Sequence, residues 1–322
     1  MNPLISICVP VYNVAPFIER CVHSLMQQTY GNLEYIFVDD GSTDNSIALL
    51  QKVVSTYPQR KEHIHIIHND RNHGLAYTRR VSIEAATGEV VICVDSDDYV
   101  EPDMAEQLLQ ACDTPDCDIV AAGYIDEKLS GEKSVIMPLP LQQQDLLWEA
   151  LEDNISRLWS KLIRRSLFDL PEVNFAPEKM DYLEDRIVLL YLAGAARRIN
   201  TIHMPLYHYA ENNTSVSSGK GDKHFRCLIN YWELADSYLA QRGLTDKYLA
   251  FTDREKLTDK VHLLHFCYDI SVCRQYVNLF ADIEARRPAL QLTRGKRLTR
   301  LLTKHHLWTL LRLYKYYQKC RP

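Results

Sequence analysis

The sequence has 322 residues, 46% of them hydrophobic and 25% charged, with 37 Lys and Arg against 42 Asp and Glu for a formal charge of −5. That balance belongs to a folded chain and excludes disorder as the main state, while at roughly 100–200 residues per domain the length allows about two domains. No apolar run is long enough to cross a bilayer and the first residues read as a strand, without a basic leader or cleavage site, so the chain is expected in the cytoplasm.

Short apolar runs at Leu4–Val11, Glu34–Val38, Ile64–Ile67, Val90–Val94 and Ile119–Ala122 alternate with helical-period stretches near 16–28, 44–56, 75–87 and 102–112. This order predicts an α/β fold, a mostly parallel sheet covered by helices. Beyond residue 125 the pattern predicts helices over about 145–170 and 182–195, a strand at Ile202–Tyr209 and a polar loop over 211–223. Residues 224–285 read as two or three further helices and 296–318 as a last amphipathic one. The expected division is a first domain over 1–220 and a helical region over 221–322.

The nine cysteines are scattered and include no C-x-x-C pair, which argues against a disulfide framework and a zinc cluster and predicts buried, reduced thiols. The sequons at Asn154 and Asn212 carry no weight in a cytoplasmic chain.

In an open α/β sheet, ligands sit outside the carboxyl ends of the strands. Here the second strand ends in Asp39-Asp40-Gly41-Ser42 and the fourth in Asp95-Ser96-Asp97-Asp98. No G-x-G-x-x-G follows the first strand and no G-x-x-x-x-G-K-[ST] exists, so a dinucleotide dehydrogenase and a P-loop enzyme lose their main support. Each acidic run alone could be a turn, a helix cap or a solvated loop. Together they crowd like charges at one sheet edge, an arrangement that a cation or hydrogen-bond donors must offset. Oxygen ligands suit Mg²⁺ or Mn²⁺, which would neutralise a diphosphate.

The runs Ile7-Cys8-Val9-Pro10-Val11-Tyr12-Asn13, Val38-Asp39-Asp40-Gly41-Ser42-Thr43-Asp44, Asn72-His73-Gly74-Leu75-Ala76 with Arg79, and Asp95-Ser96-Asp97-Asp98 resemble, in order and spacing, the inverting glycosyltransferases of family 2. The resemblance covers about the first 125 residues. It implies a GT-A fold, a nucleotide-diphospho-sugar donor, Mg²⁺ or Mn²⁺, and a role in bacterial surface-polysaccharide assembly. It places Pro10, Tyr12 and Asp40 at the base and ribose with Asp39 beside them, Arg79 near the nucleotide, Asp95 at the donor, and Asp97 and Asp98 at the metal. Tyr12 offers a flat face for a base, or packs under a loop; Arg79 adjoins Arg80 and reads equally as a solvated helix face.

An inverting transfer also needs a base for the acceptor hydroxyl. Four carboxylates fall within Glu178–Asp185, and Asp181 and Asp185 are i, i+4 neighbours whose like charge would raise a pKa, although acids at a helix start also favour the dipole. The resemblance selects Asp185 as base, with Glu184 second. More loosely, Trp159-Ser160-Lys161-Leu162 resembles a Lys-Leu motif preceding a helix, where Lys161 reads mainly as a surface residue. Tyr207-His208-Tyr209 with Ser215 resembles a C-terminal flap, with His208 a remote metal candidate.

From residue 290 onward there are nine Lys or Arg and no Asp or Glu, leaving the rest of the chain at −14. Leu298, Leu302, Leu313 and Tyr316 gather on one side of a helical wheel and Arg297, Arg300, Lys304 and Lys315 on another. Such a helix suits an anionic membrane surface and a glycan or lipid-linked acceptor, or docks on the acidic body or on a second subunit as a homo-oligomer contact. No nucleic-acid recognition motif accompanies the charge. Two functions follow: a metal-dependent inverting glycosyltransferase, cytoplasmic and peripheral on the membrane, or a non-catalytic nucleotide-sugar-binding scaffold held by its tail.

Overall fold

The computed structural model describes residues 2–139, 141, 145–151, 157–178, 180–212, 221–286 and 290–319. In chain order the first part contains β1 (Ile5–Val11), α1 (Ile18–Met26), β2 (Leu33–Asp39), α2 (Ser46–Ser55), β3 (Ile64–His68), α3 (Leu75–Ala85), β4 (Val90–Cys93), β5 (Tyr99–Val100), α4 (Met104–Gln110), β6 (Cys117–Glu127), β7 (Lys133–Ile136), α5 (Leu146–Leu151), β8 (Lys161–Arg164), α6 (Glu184–Ala195) and β9 (Arg198–Ala210). The second contains α7 (Asp222–Gln241), α8 (Thr245–Phe266), α9 (Ile270–Tyr276), α10 (Ala281–Ala285), α11 (Arg294–Lys304) and α12 (Trp308–Lys319). The described residues form two compact units, one up to 212 and one from 221.

All seven residues of β1 and of β2 are buried, as unbroken apolar strands covered on both faces must be. The sheet runs β3-β2-β1-β4-β8-β6-β9-β5, with β7 hairpinned on β6. Pairing is parallel from β3 to β4 and between β6 and β9, as expected, and antiparallel where β8 enters between β4 and β6. The parallel half carries β1, β2 and β4 side by side, so their carboxyl ends, with the two acidic runs, open on one edge.

Two expectations are corrected. The stretch 145–170 is not one helix: α5 is followed by β8, whose Lys161, Leu162 and Ile163 are buried in the middle of the sheet, so Lys161 is not a surface residue and the Lys-Leu motif lies in a strand. The tail is two helices, not one over 296–318, because the chain turns at His306 in the left-handed region, φ 53°.

In the second unit α7 and α8 form a helical hairpin that buries Phe225, Tyr231, Trp232, Tyr248 and Phe251. Arg286 closes a two-pronged ion pair on the buried Asp253 (2.6 and 2.7 Å), and α11 packs on α8. Among the described residues eight cysteines are free thiols, seven of them buried, as expected. Asn154, Ser215, Cys320 and Arg321 lie outside the described residues.

Candidate active site

The site is organised around the first two turns of α3. Asp40 follows β2 directly, its N–H donates to the carbonyl of Val11 (2.9 Å), and only 2% of the residue is exposed. Its carboxylate accepts from Asn69 Nδ2 (2.7 Å) and from the backbone N–H of His73 (3.0 Å) and Gly74 (2.8 Å), so both oxygens are held by protein donors. Gly74 has φ +96°, and a Cβ there would run into the Asp181 carboxylate. Asp181 Oδ1 in turn accepts the N–H of Leu75 (3.1 Å). Asp181 thus takes the first N–H of α3, which the helix itself cannot pair, and Asp40 takes the two N–H groups immediately before it. Asp39 accepts from Ser42 N–H (2.9 Å) and meets His68 Nδ1 (3.0 Å).

One turn further, Arg79 is 4% exposed and is no solvated helix face. One of its terminal nitrogens donates to Asp95 Oδ1 (2.6 Å) beyond β4 and the other to Glu184 Oε1 at the start of α6. Burial works against its charge, but Asp95 and Glu184 overcome that and raise its pKa. Its Nε is buried and has no acceptor among the described residues. Burial first, then the charge of Asp185, pushes Glu184 up to about 8 against the pull of Arg79. Helix α6 starts from Leu183, held at φ 66° in the left-handed region, a cost that a packed site can impose on a leucine. Asp185 stands in the first turn, with Oδ1 accepting the N–H of Arg186 (2.8 Å). Asp181 lies before this helix, so it is not a one-turn neighbour of Asp185, and the like-charge argument for that pair does not hold.

The second acidic run is tied to β9. Asp98, 1% exposed, accepts from Tyr207 Oη (2.7 Å) through Oδ2 and from the Ala210 N–H (2.9 Å) through Oδ1. The Tyr207 oxygen also accepts the N–H of Asp95 (3.1 Å). Asp97 Oδ2 accepts from Asn212 Nδ2 (2.7 Å), while its carbonyl takes Arg20 (3.1 Å). Burial, then the charge of Asp95, raises Asp97; burial, then Asp97 and Asp95, raises Asp98 well above the carboxylate range.

Among the described residues no three His, Cys, Asp or Glu side chains are arranged as a closed metal cage. Mg²⁺ and Mn²⁺ do not require one, since they keep waters and take one or two carboxylates plus substrate phosphate. Asp97 is raised by burial first and then by the charge of Asp95, and a cation would offset both. The donor set therefore fits a hydrated hard cation on Asp97, with Asp98 turned into β9.

Pro10 is buried in β1 opposite Val38, and Tyr12, just past that strand, is 45% exposed. Both nitrogens of His208 face carboxylates, Glu127 (3.0 Å) and Glu101 (2.8 Å), and its ring stacks on Tyr99, so it has no nitrogen left for a metal. Sequence reasoning names Tyr207 only within the Tyr207-His208-Tyr209 segment and gives no site role to Tyr207, Asn212 or Asn69, which hold Asp98, Asp97 and Asp40.

The family model described as glycosyl transferase family 2 matches residues 6–169. Glycosyltransferase GlyG of Streptococcus pneumoniae serotype 4 (strain ATCC BAA-334 / TIGR4) is 31% identical over 312 residues, 89% of this chain and 99% of that one. Chondroitin synthase of Pasteurella multocida (strain Pm70) is 35% identical over 146 residues, 41% of this chain and 15% of that one. Among solved structures, S. aureus TarS 1–349 in complex with UDP-GlcNAc superposes with a TM-score of 0.60 at 16% identity, covering 94% of this chain and 92% of that one, which shows a shared fold.

Proposed function

The chain belongs to glycosyl transferase family 2, and from that premise we propose that it moves a sugar, with inversion, from a nucleotide-diphospho-sugar to an acceptor hydroxyl in cell-surface polysaccharide synthesis. One observation carries the reading: Arg79 joins Asp95, on the acid-rich edge of the sheet, to Glu184, beside the acid that would serve as base. In this reading the donor site and the proton acceptor are neighbours, as a single displacement requires. The UDP-GlcNAc complex of TarS and the chondroitin synthase match support a UDP-linked donor and a polysaccharide product.

In this reading Tyr12 stacks on the base, Pro10 and Asp39 shape the pocket beside it, and Asp40 keeps the 69–74 loop in place next to the ribose. Asp97 would hold Mg²⁺ or Mn²⁺, with Asp98 anchoring its loop; the cation would supply positive charge for the diphosphate as it leaves. Arg79, steadied by two carboxylates, contributes fixed positive charge on the same side. Asp185 takes the proton of the acceptor hydroxyl while that oxygen attacks the anomeric carbon and the nucleoside diphosphate departs with the bonding pair from the opposite face.

The test is nucleoside diphosphate release by the full chain with UDP-sugars, Mn²⁺ and a polysaccharide acceptor. Asp97→Ala and Asp185→Asn are expected to abolish release with circular dichroism unchanged. Donor binding without release under every acceptor tried would instead favour a non-catalytic scaffold. The acceptor, in this proposal, is met at the membrane surface.

A further inference from the structure

The last two helices leave apolar side chains facing solvent, and α12 buries a lysine instead. In α12 Lys315 is 3% exposed, and its ammonium donates to the carbonyls of Leu264 (2.7 Å) and His265 (3.1 Å). It closes the last turn of α8, where the helix leaves its carbonyls unpaired. Leu310, Leu313 and Tyr316, on the other side of α12, are 52%, 61% and 71% exposed. Helix α11 repeats the pattern: Thr299, Leu302 and Thr303 are buried, while Leu298 and Leu301 face solvent. The wheel drawn from sequence is therefore corrected at two places, with Leu302 inside and Lys315 removed from the charged side.

The exposed leucines are interleaved with cations. Arg294 precedes Leu298 by one helical turn, Arg297 and Lys304 flank Leu301, and Arg312 adjoins Leu313; all four are exposed, and no Asp or Glu occurs from 290 to 319. We propose that the outer faces of α11 and α12 form a membrane-docking surface for an anionic lipid bilayer, leucines among the acyl chains and the four cations at the headgroup phosphates. The equivalent face of a second copy seated on this face would set these cations against their own kind. A nucleic acid would pair the cations but leave the leucines in water, and no described helix is long and apolar enough to cross the bilayer.

Vesicle binding needs no turnover, so the inference stands or falls apart from the catalytic reading. The full chain is expected to sediment with vesicles of equimolar phosphatidylglycerol and phosphatidylcholine, not with phosphatidylcholine alone, and to be released by salt. The triple variants L301S/L310S/L313S and R297E/K304E/R312E alter only exposed side chains and should each lower the lipid partition coefficient roughly tenfold or more. Release of nucleoside diphosphate with a water-soluble acceptor should stay unchanged. Equal sedimentation of wild type and both variants, or no sedimentation at all, overturns the proposal. So does a vesicle-independent dimer, seen by light scattering, that the leucine variant abolishes.

Discussion

The two acidic runs that follow β2 and β4 look alike as strings of aspartates, yet the fold holds Asp40 and Asp97 differently. Asp40 is buried among donors, three groups of the Asn69–Gly74 segment serving its two oxygens, so its charge is paired within the fold. Asp97 and Asp98 are buried, and burial first, then the charge of Asp95 and, for Asp98, also that of Asp97, raises their pKa values. The difference teaches that Asp40 is held as part of the scaffold, while Asp97 carries a buried charge that the fold offsets less fully. A carboxylate with donors on both oxygens holds a loop in place; one buried beside another acid with fewer donors is favoured by added positive charge.

The sharpest way to break this comparison is to neutralise one aspartate of each run. Asp97→Asn should cost roughly 10²–10³-fold or more in kcat, on the scale of losing an electrostatic contact to the leaving group. Its melting temperature should hold or rise in metal-free buffer, because a repelling charge has gone. Asp40→Asn should do the reverse. The amide sets an NH₂ against N–H groups that had an acceptor, at a cost of about 2–3 kcal/mol in unfolding free energy. Equal melting temperatures for the two variants in chemical denaturation and calorimetry would erase the distinction.

A middle-sized effect concerns the residue that links the acid-rich edge to α6. Arg79→Lys keeps a charge but cannot donate to Asp95 and Glu184 together, since an ammonium lacks the guanidinium fork. With placement of Glu184 and Asp185 loosened, kcat is expected to fall about tenfold while KM for the donor changes less. An equal rise in KM with kcat preserved would make Arg79 a plain nucleotide contact.

Much of this was readable from sequence because of where the information sits. Strands β1, β2 and β4 are buried on both faces, so they register as unbroken apolar runs, and the residues just after them are the site by the geometry of parallel sheets. Strand β8 escaped because it is four residues long, begins with a lysine that is nonetheless buried, and follows a segment whose apolar spacing fits a helix. Tyr207 and Asn212 reach Asp98 and Asp97 from more than a hundred residues away, a closure set by the pairing of β9 with β6 and β5 that no local pattern encodes. Nor does spacing reveal that Asp40 has three donors from one segment while Asp97 meets Asn212 from just past β9, since that depends on which groups the fold brings to each.

The smallest predicted effect extends the comparison to a carboxylate far from the acidic runs. Glu34, near the start of β2, accepts from Ser6 Oγ, from the N–H of Thr87 (2.7 Å) and Gly88 (3.0 Å), and from Thr87 Oγ1 (2.9 Å). Burial alone would raise its pKa, but these donors to the ionised form outweigh it and the net displacement is downward. A carboxylate lowered in the folded state contributes stability that is present above its unfolded value, about 4.3, and is lost as pH falls through the lower folded value. Glu34→Gln should therefore cost about 1 kcal/mol at neutral pH, and the gap to wild type should narrow in acid as the native carboxylate takes up its proton. Thermal unfolding followed from neutral pH into acid measures both curves. If the gap widened on acidification, Glu34 would belong with Asp97, a charge the fold tolerates, and donor saturation would no longer separate the two kinds of acid.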